Sequence, residues 1–205
     1  NGEKNWPTYN TSELQTYYGG VNGEPIAGAT PTGYYLKKYL DPTVNVSATN
    51  SNTKRHSWIT FRLGEFYLDY AEAVFHYLGS ADATSAEFPL SAREAVNIIR
   101  GRSDVMMPPL PTGLSNDEFW KKYEDERMVE LAFEDHRFYD VRRWKEGNQL
   151  ASIIEMHITK NADGNFFYSR QTVKRNWNDK MYFFPIPESE ILKHKNVNFP
   201  QNPGW

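Results

Sequence analysis

Glu126, Glu130 and Glu134 stand four residues apart, so on a helix they share one face, each about a turn from the next. Paired carboxyl groups are the chemistry of glycoside hydrolysis, in which an acid and a base or nucleophile flank the scissile bond. Carboxylates that leave one helix in the same direction flank nothing, and Arg127, Arg137, Arg142 and Arg143 are close enough in sequence to neutralise them. The spacing therefore predicts a structural ion-pair network and no catalytic residue. Arg127 and Glu134 fall on the apolar face and are each expected to be buried and paired.

Asp69, Glu72 and His76 form another polar stripe, but it matches neither the zinc-protease spacing nor the Glu-x-x-His of di-iron bundles. His56, His136, His157 and His194 are isolated along the chain. Asn161, Asp163 and Asn165 imitate the odd positions of a calcium loop, yet Gly164 comes fourth where sixth is required, and no Glu occupies the twelfth place. A hairpin turn explains them better. No phosphate-cradling glycine loop and no nucleophile elbow is present, so the residues imply no metal and no cofactor.

What remains is an aromatic surplus, 15% of the chain. Aromatic faces are rigid platforms for ring-shaped polar ligands such as sugars, with hydrogen bonds at the rim. Phe61, Phe66, Tyr70, Phe75, Trp120 and Phe138 fall at helical spacing and are assigned to the core. Trp6, Tyr9, Tyr17 and Tyr18 lie among Asn, Gly, Thr and Pro, and these four are the candidate ligand-binding residues, on a loop spanning 1–30. The plainer alternative for each is that it pins that loop to the helices.

The elements that must position these groups are mostly helical. Residues 1–57 are rich in Gly and Pro and show no period. From Trp58 to Leu78, Arg62, Glu65, Asp69, Glu72 and His76 make one narrow polar stripe on an otherwise apolar helix, which implies packing on several sides. Gly79 closes it. A second helix is expected from Pro89 to Arg102, pairing antiparallel with the first, and a third after the Ser115–Glu118 capping box. The third continues to Glu134, breaks at Asp135, and is followed by a fourth from Arg137 to about Lys145. Beyond Gly147 the alternation of Ile154, Met156 and Ile158 predicts a half-buried strand. A turn at 161–165 and a return strand from Phe166 to Val173 complete a hairpin. Met181 to Ile186 reads as extended, and Glu188 to Lys193 as a last helical turn.

Composition limits the function. The chain of 205 residues has a formal charge of −3, which gives no electrostatic reason to hold nucleic acid, and it lacks Cys altogether. No run approaches a membrane span and no signal peptide opens it. Its first residue is Asn rather than Met, which suggests a processed or truncated product. Apolar content of 39% falls short of the ~45–50% usual for globular chains and leaves it light in core material.

Six stretches in order, RLGEFYLDYAEA (62–73), AVNIIRGR (95–102), ERMVELAFEDHRFYDVRRW (126–144), FPIP (184–187), QNPGW (201–205) and, ahead of them, GYYLKKY (33–39), resemble the C-terminal half of the SusD/RagB family. The resemblance covers roughly residues 33–205. It implies a mainly α fold of tetratricopeptide-like helix pairs with long irregular loops and a small β-hairpin, here as a loop-rich segment 1–57 and a helical domain 58–205. It also implies non-catalytic glycan or nutrient binding by a lipid-anchored protein on the outer-membrane surface, delivering ligand to a SusC-like TonB-dependent transporter. The signal peptide, the lipid-bearing Cys and an N-terminal half holding most repeat helices belong to that pattern and are not among these residues. Asp135 stands where many relatives carry Gly. Glu65, Glu72, Arg127, Glu130, Glu134, Arg137, Asp140 and Arg143 sit in the family motifs as architecture, so the site rests on the loop aromatics alone. The alternative is a helical scaffold whose only task is to dock the transporter or another protein.

Overall fold

The computed structural model describes residues 14–25, 27, 29–30, 32–41, 43–44, 51–194 and 197–205. Its elements are helices α1 (Leu63–Leu78), α2 (Ala92–Arg100), α3 (Asn116–Glu130) and α4 (His136–Arg143), strands β1 (Ser152–Lys160) and β2 (Phe166–Lys174), and helix α5 (Glu188–Lys193). The fold is helical with one two-stranded antiparallel hairpin among the described residues, as the sequence predicts. Two compact units are present: His56–Asp140, and the described part of Asn1–Arg55 together with Val141–Trp205.

In the first unit α1 begins at Leu63 rather than Trp58, because Arg62 is extended (φ −146°, ψ 155°). Its guanidinium reaches Glu134 Oε2 at 2.7 Å, Glu130 Oε1 at 2.5 Å and the Glu130 carbonyl at 2.6 Å. Three acceptors oppose the helical geometry that the periodicity favours, and they win. At the other end Gly79 adopts φ 72°, a left-handed conformation that lacks a Cβ penalty only for glycine, and its N–H donates to the Phe75 carbonyl. Helix α2 begins at Ala92 rather than Pro89. Ser91 and Glu94 form a capping box there, with Glu94 N–H donating to Ser91 Oγ at 3.2 Å and Ser91 N–H to Glu94 Oε2 at 3.0 Å. The Ser115–Glu118 box opens α3 as predicted.

The polar stripe of α1 is an interface. Glu65 lies 3.5 Å from His136, Asp69 accepts from Arg127 at 2.7 Å, Glu72 accepts from the Tyr123 hydroxyl at 2.9 Å, and His76 meets the Trp120 ring at 4.7 Å. Glu65 is buried there and Glu72 half-buried, each with a partner, while Asp69 and His76 meet theirs and stay exposed. The expectation that Phe61 and Phe66 are core is overturned: they are 70% and 59% exposed, and Phe138 is 40% exposed. On α1 the open face carries Leu63, Phe66, Ala73 and Tyr77. The core lies between α1 (Leu68, Ala71, Val74, Phe75), α2 (Ala92, Ala95, Val96, Ile99) and α3 (Phe119, Tyr123). A buried Leu, Ile or Phe contributes ~1.5–3 kcal/mol there. Phe75 and Phe119 meet at 5.0 Å, and Trp120 stacks at 12° to Phe75.

Helix α3 stops at Glu130, short of the predicted Glu134, and the chain reverses through Leu131–Asp135. Asp135 takes the predicted left-handed conformation (φ 65°), and so does Phe133 (φ 62°), which the sequence did not flag.

In the second unit β1 and β2 pair from Ser152↔Lys174 to Lys160↔Phe166. Ile154, expected on a buried face, is 66% exposed, and every residue of β2 is exposed. A hairpin with no layer over it has no inside, so alternation there does not mark a core. The Asp179–Tyr182 stretch is a 3₁₀ turn rather than extended chain, and extension starts at Phe183. The FPIP and QNPGW stretches clasp each other. Gln201 accepts from Ile186 N–H at 2.7 Å and donates to its carbonyl at 2.8 Å, Asn202 donates to the Phe184 carbonyl, and the Trp205 indole donates to those of Lys180 and Phe183.

A phenylalanine held left-handed stores roughly 1–2 kcal/mol of backbone strain, and Phe133 is 63% exposed, so it returns little by burial. Phe133→Gly is therefore expected to raise the melting temperature or leave it unchanged; a loss of several degrees would show that the ring packs on something essential.

Candidate functional site

The carboxylates that suggested catalysis are consumed by arginines. Glu126 pairs with Arg100, Glu130 with Arg62 and Arg102, and Glu134 with Arg62. These partners come from outside the motif, where sequence proximity did not point. Burial raises the Glu130 carboxyl, but Arg102 and Arg62 outweigh it and hold the group below the ordinary glutamate value. Arg127 and Glu134 are both buried, as predicted. Yet Arg127 binds Asp140 at 2.8 Å and Asp69 at 2.7 Å, so the two are not partners of each other. No group of three or more metal-ligating side chains occurs among the described residues.

The candidate ligand residues Trp6 and Tyr9 lie outside the described residues. Tyr17 and Tyr18 are placed on the hairpin. A compact turn holds them: Gly20 N–H donates to the Tyr17 carbonyl, Gly19 N–H to that of Glu24, and Asn22 N–H to that of Gln15. Tyr18 N–H then donates to the Ile158 carbonyl at 2.7 Å, and Met156 N–H to that of Thr32 at 3.2 Å. Loop backbone thus covers part of the outer edge of β1. Gly33 makes the approach possible, because at its φ of 77° a Cβ would stand 2.5 Å from the Met156 carbonyl oxygen.

Both tyrosines touch β-strand side chains while keeping surface. The half-buried Tyr17 ring lies 5.6 Å from Phe166, and Lys160 Nζ is 5.3 Å from both ring centres. Tyr18 is 54% exposed and lies 5.7 Å from the His157 ring. Beside it a shallow cleft is lined by Thr16, Tyr18, Glu24, Thr30, Glu155 and His157, among others. Pinning and exposure are therefore combined in the same residues.

Phe166, Phe167 and Tyr168, at 46%, 57% and 52% exposure, were not singled out from the sequence. The signal was available: adjacent strand residues point to opposite faces, so three consecutive aromatics cannot all be buried by one layer. Cross-strand partners share a face, so Lys160, Phe166, Tyr168, Arg170 and Lys174 line one side of the hairpin, while Glu155, His157 and Phe167 line the other. The arrangement offers ring faces, hydroxyls and charges to a ligand, with no oriented nucleophile among them.

A helical fold with exposed hairpin aromatics and half-buried, arginine-paired glutamates agrees with the comparison to known proteins. The SusD family model matches residues 1–205, and the chain belongs to the SusD family. It is 30% identical over 165 residues to SusD-like protein P2 of Formosa agariphila, an alignment that takes in 78% of this chain and 28% of that relative's length. No solved structure matches it.

Two outcomes follow from the buried charges. Arg127→Ala removes a buried guanidinium that holds both Asp140 and Asp69, and breaking a buried pair typically costs ~3–5 kcal/mol, so thermal melting should show a large fall. Unchanged melting would contradict the structural role. Because the Glu130 value is depressed on folding, its contribution is complete above the unfolded-chain value of about 4.3 and disappears as pH falls through the lower folded value. Glu130→Gln should therefore be less stable than the parent at pH 7, with the gap closing under acid; a gap independent of pH would refute the ionic contribution.

Proposed function

We propose that this chain is part of a non-catalytic, nutrient-binding protein of the outer-membrane surface, which takes up an oligo- or polysaccharide and passes it to a SusC-like TonB-dependent transporter. Membership of the SusD family supports the class. The observation that carries the site is the pair of loop tyrosines seated against the hairpin with ring surface still open, Tyr17 beside Phe166 and Tyr18 beside the polar cleft. Sugars bind such sites by stacking, with hydroxyls and carboxylates at the rim. Trp6 and Tyr9 belong to the proposed ligand-binding set through their place in the same loop sequence. The lipid anchor and the remaining helices of the fold are expected in the rest of the protein. No helix among the described residues is long and apolar enough to cross a membrane.

A second reading, a helical scaffold that docks the transporter or another protein, is favoured by one feature, the exposed Leu63, Phe66, Ala73 and Tyr77 of α1, which share their open side with Asp69 and His76.

Calorimetric titration with a panel of polysaccharides separates the two. A stacking tyrosine cut to alanine should weaken binding by more than ~1 kcal/mol, so Tyr17→Ala and Tyr18→Ala should each lose affinity while melting as the parent does. Undiminished binding in both variants would remove these residues from the site, and a parent that binds no polysaccharide but captures the transporter would favour the scaffold.

A further inference from the structure

We propose that the ligand is an anionic glycan, a polysaccharide bearing carboxylate or sulfate groups, laid along the Lys160–Lys174 face of the hairpin. This rests on the glycan-binding reading and adds the charge class. The residues sharing that face are Lys160, Arg170 and Lys174, the rings of Phe166 and Tyr168, and Ser152, Ile154, Met156, Ile158 and Thr172, with no carboxylate among them. Such a face is unexpected on a chain with 26 acidic against 23 basic residues.

The pairing of cations elsewhere sharpens the contrast. In the unit His56–Asp140, Arg62, Arg93, Arg100, Arg102 and Arg127 each sit on a carboxylate. On the hairpin face Lys160, Arg170 and Lys174 form no ion pair among the described residues, and Lys160 instead overhangs the Tyr17 and Phe166 rings. Alternate strand residues are ~7 Å apart, so rings and then cations succeed each other along β2 at roughly the scale of successive sugar units. A polymer lying there would run along the exposed edges of Phe166 and Tyr168, the former already held by Tyr17 and Lys160, and present its anions to Arg170 and Lys174.

Cations on an edge strand also discourage edge-to-edge pairing. That purpose does not call for open aromatic rings on the same face, nor for Lys160 on the other strand. A nucleic acid offers similar anions along its backbone, and the oligodeoxythymidine arm of the test separates it from a glycan.

The test titrates the chain with polygalacturonate for carboxylate, dextran sulfate for sulfate, dextran as a neutral polymer and single-stranded oligodeoxythymidine. Binding of one or both anionic polymers, stronger than dextran and weakened by salt as exposed charges are screened, is the expected result. The double variant Arg170→Gln, Lys174→Gln should bind that polymer about tenfold more weakly with an unchanged melting temperature. Tyr17→Ala should weaken it too, which a mere attraction between polycation and polyanion would not show. If a neutral polysaccharide binds as well as the anionic ones and the double variant matches the parent, the charge assignment falls while glycan binding stands. Oligodeoxythymidine binding as tightly as the anionic glycans would overturn the glycan assignment of this face, and binding of no polysaccharide at all would overturn both readings.

Discussion

A guanidinium withdrawn from water must be met by carboxylates held at hydrogen-bonding distance, and Arg127 imposes that condition on the helical unit. Its two acids come from different elements, Asp69 from α1 and Asp140 from α4, while Arg127 itself stands on α3. Three helices are thereby fixed in rotation about their own axes, because hydrogen bonds are directional where apolar contact is not. Asp69 has to lie within reach of α3, and Leu63, Phe66 and Tyr77 are turned outward beside it. The chain between α3 and α4 has to reverse within a short turn to bring Asp140 back, and two left-handed residues achieve it. Arg62 repeats the arrangement at the start of α1, where binding Glu130 and Glu134 displaces the first helical turn.

This explains which parts of the fold were legible in the sequence. Caps are local, so Ser115 and Glu118 announced the start of α3, and the hairpin turn at Asn161–Asn165 was evident for the same reason. Ser91 and Glu94 offered an equal signal that the proline at position 89 obscured. The outward turning of α1 was not legible, since a polar stripe looks alike whether water or a partner arginine satisfies it. The difference lies in Arg127 and Tyr123, more than fifty positions away. Burial of Arg127 followed from its phase on α3, whereas Glu134 lies past the end of that helix and the partners of both required the tertiary fold.

For the proposed ligand surface the sequence pointed to the loop tyrosines and not to the strand aromatics beside them. Tyr17 and Tyr18 stood out because no helical period claimed them. Phe166 and Tyr168 were hidden by the assumption that an alternating strand keeps one face dry, which holds for sheets packed on a layer and not for a hairpin exposed on β2 throughout. The loop supplies backbone partners to β1, through Tyr18 and Thr32, and so makes a two-stranded ribbon firmer than its own ladder.

Among the described residues the buried apolar side chains lie in His56–Asp140, with Val141 the exception, while β2 buries none of its nine side chains. Inheritance acts differently on two such regions. A change in the helical unit is screened first by whether the chain still folds, and most alterations there are lost before any ligand is met. On β2 that filter is nearly absent, since an exposed side chain has no cavity to leave and no neighbour to crowd. Lineages can therefore exchange the ring and charge pattern of this strand at little risk to the scaffold, so one architecture can carry many different surfaces.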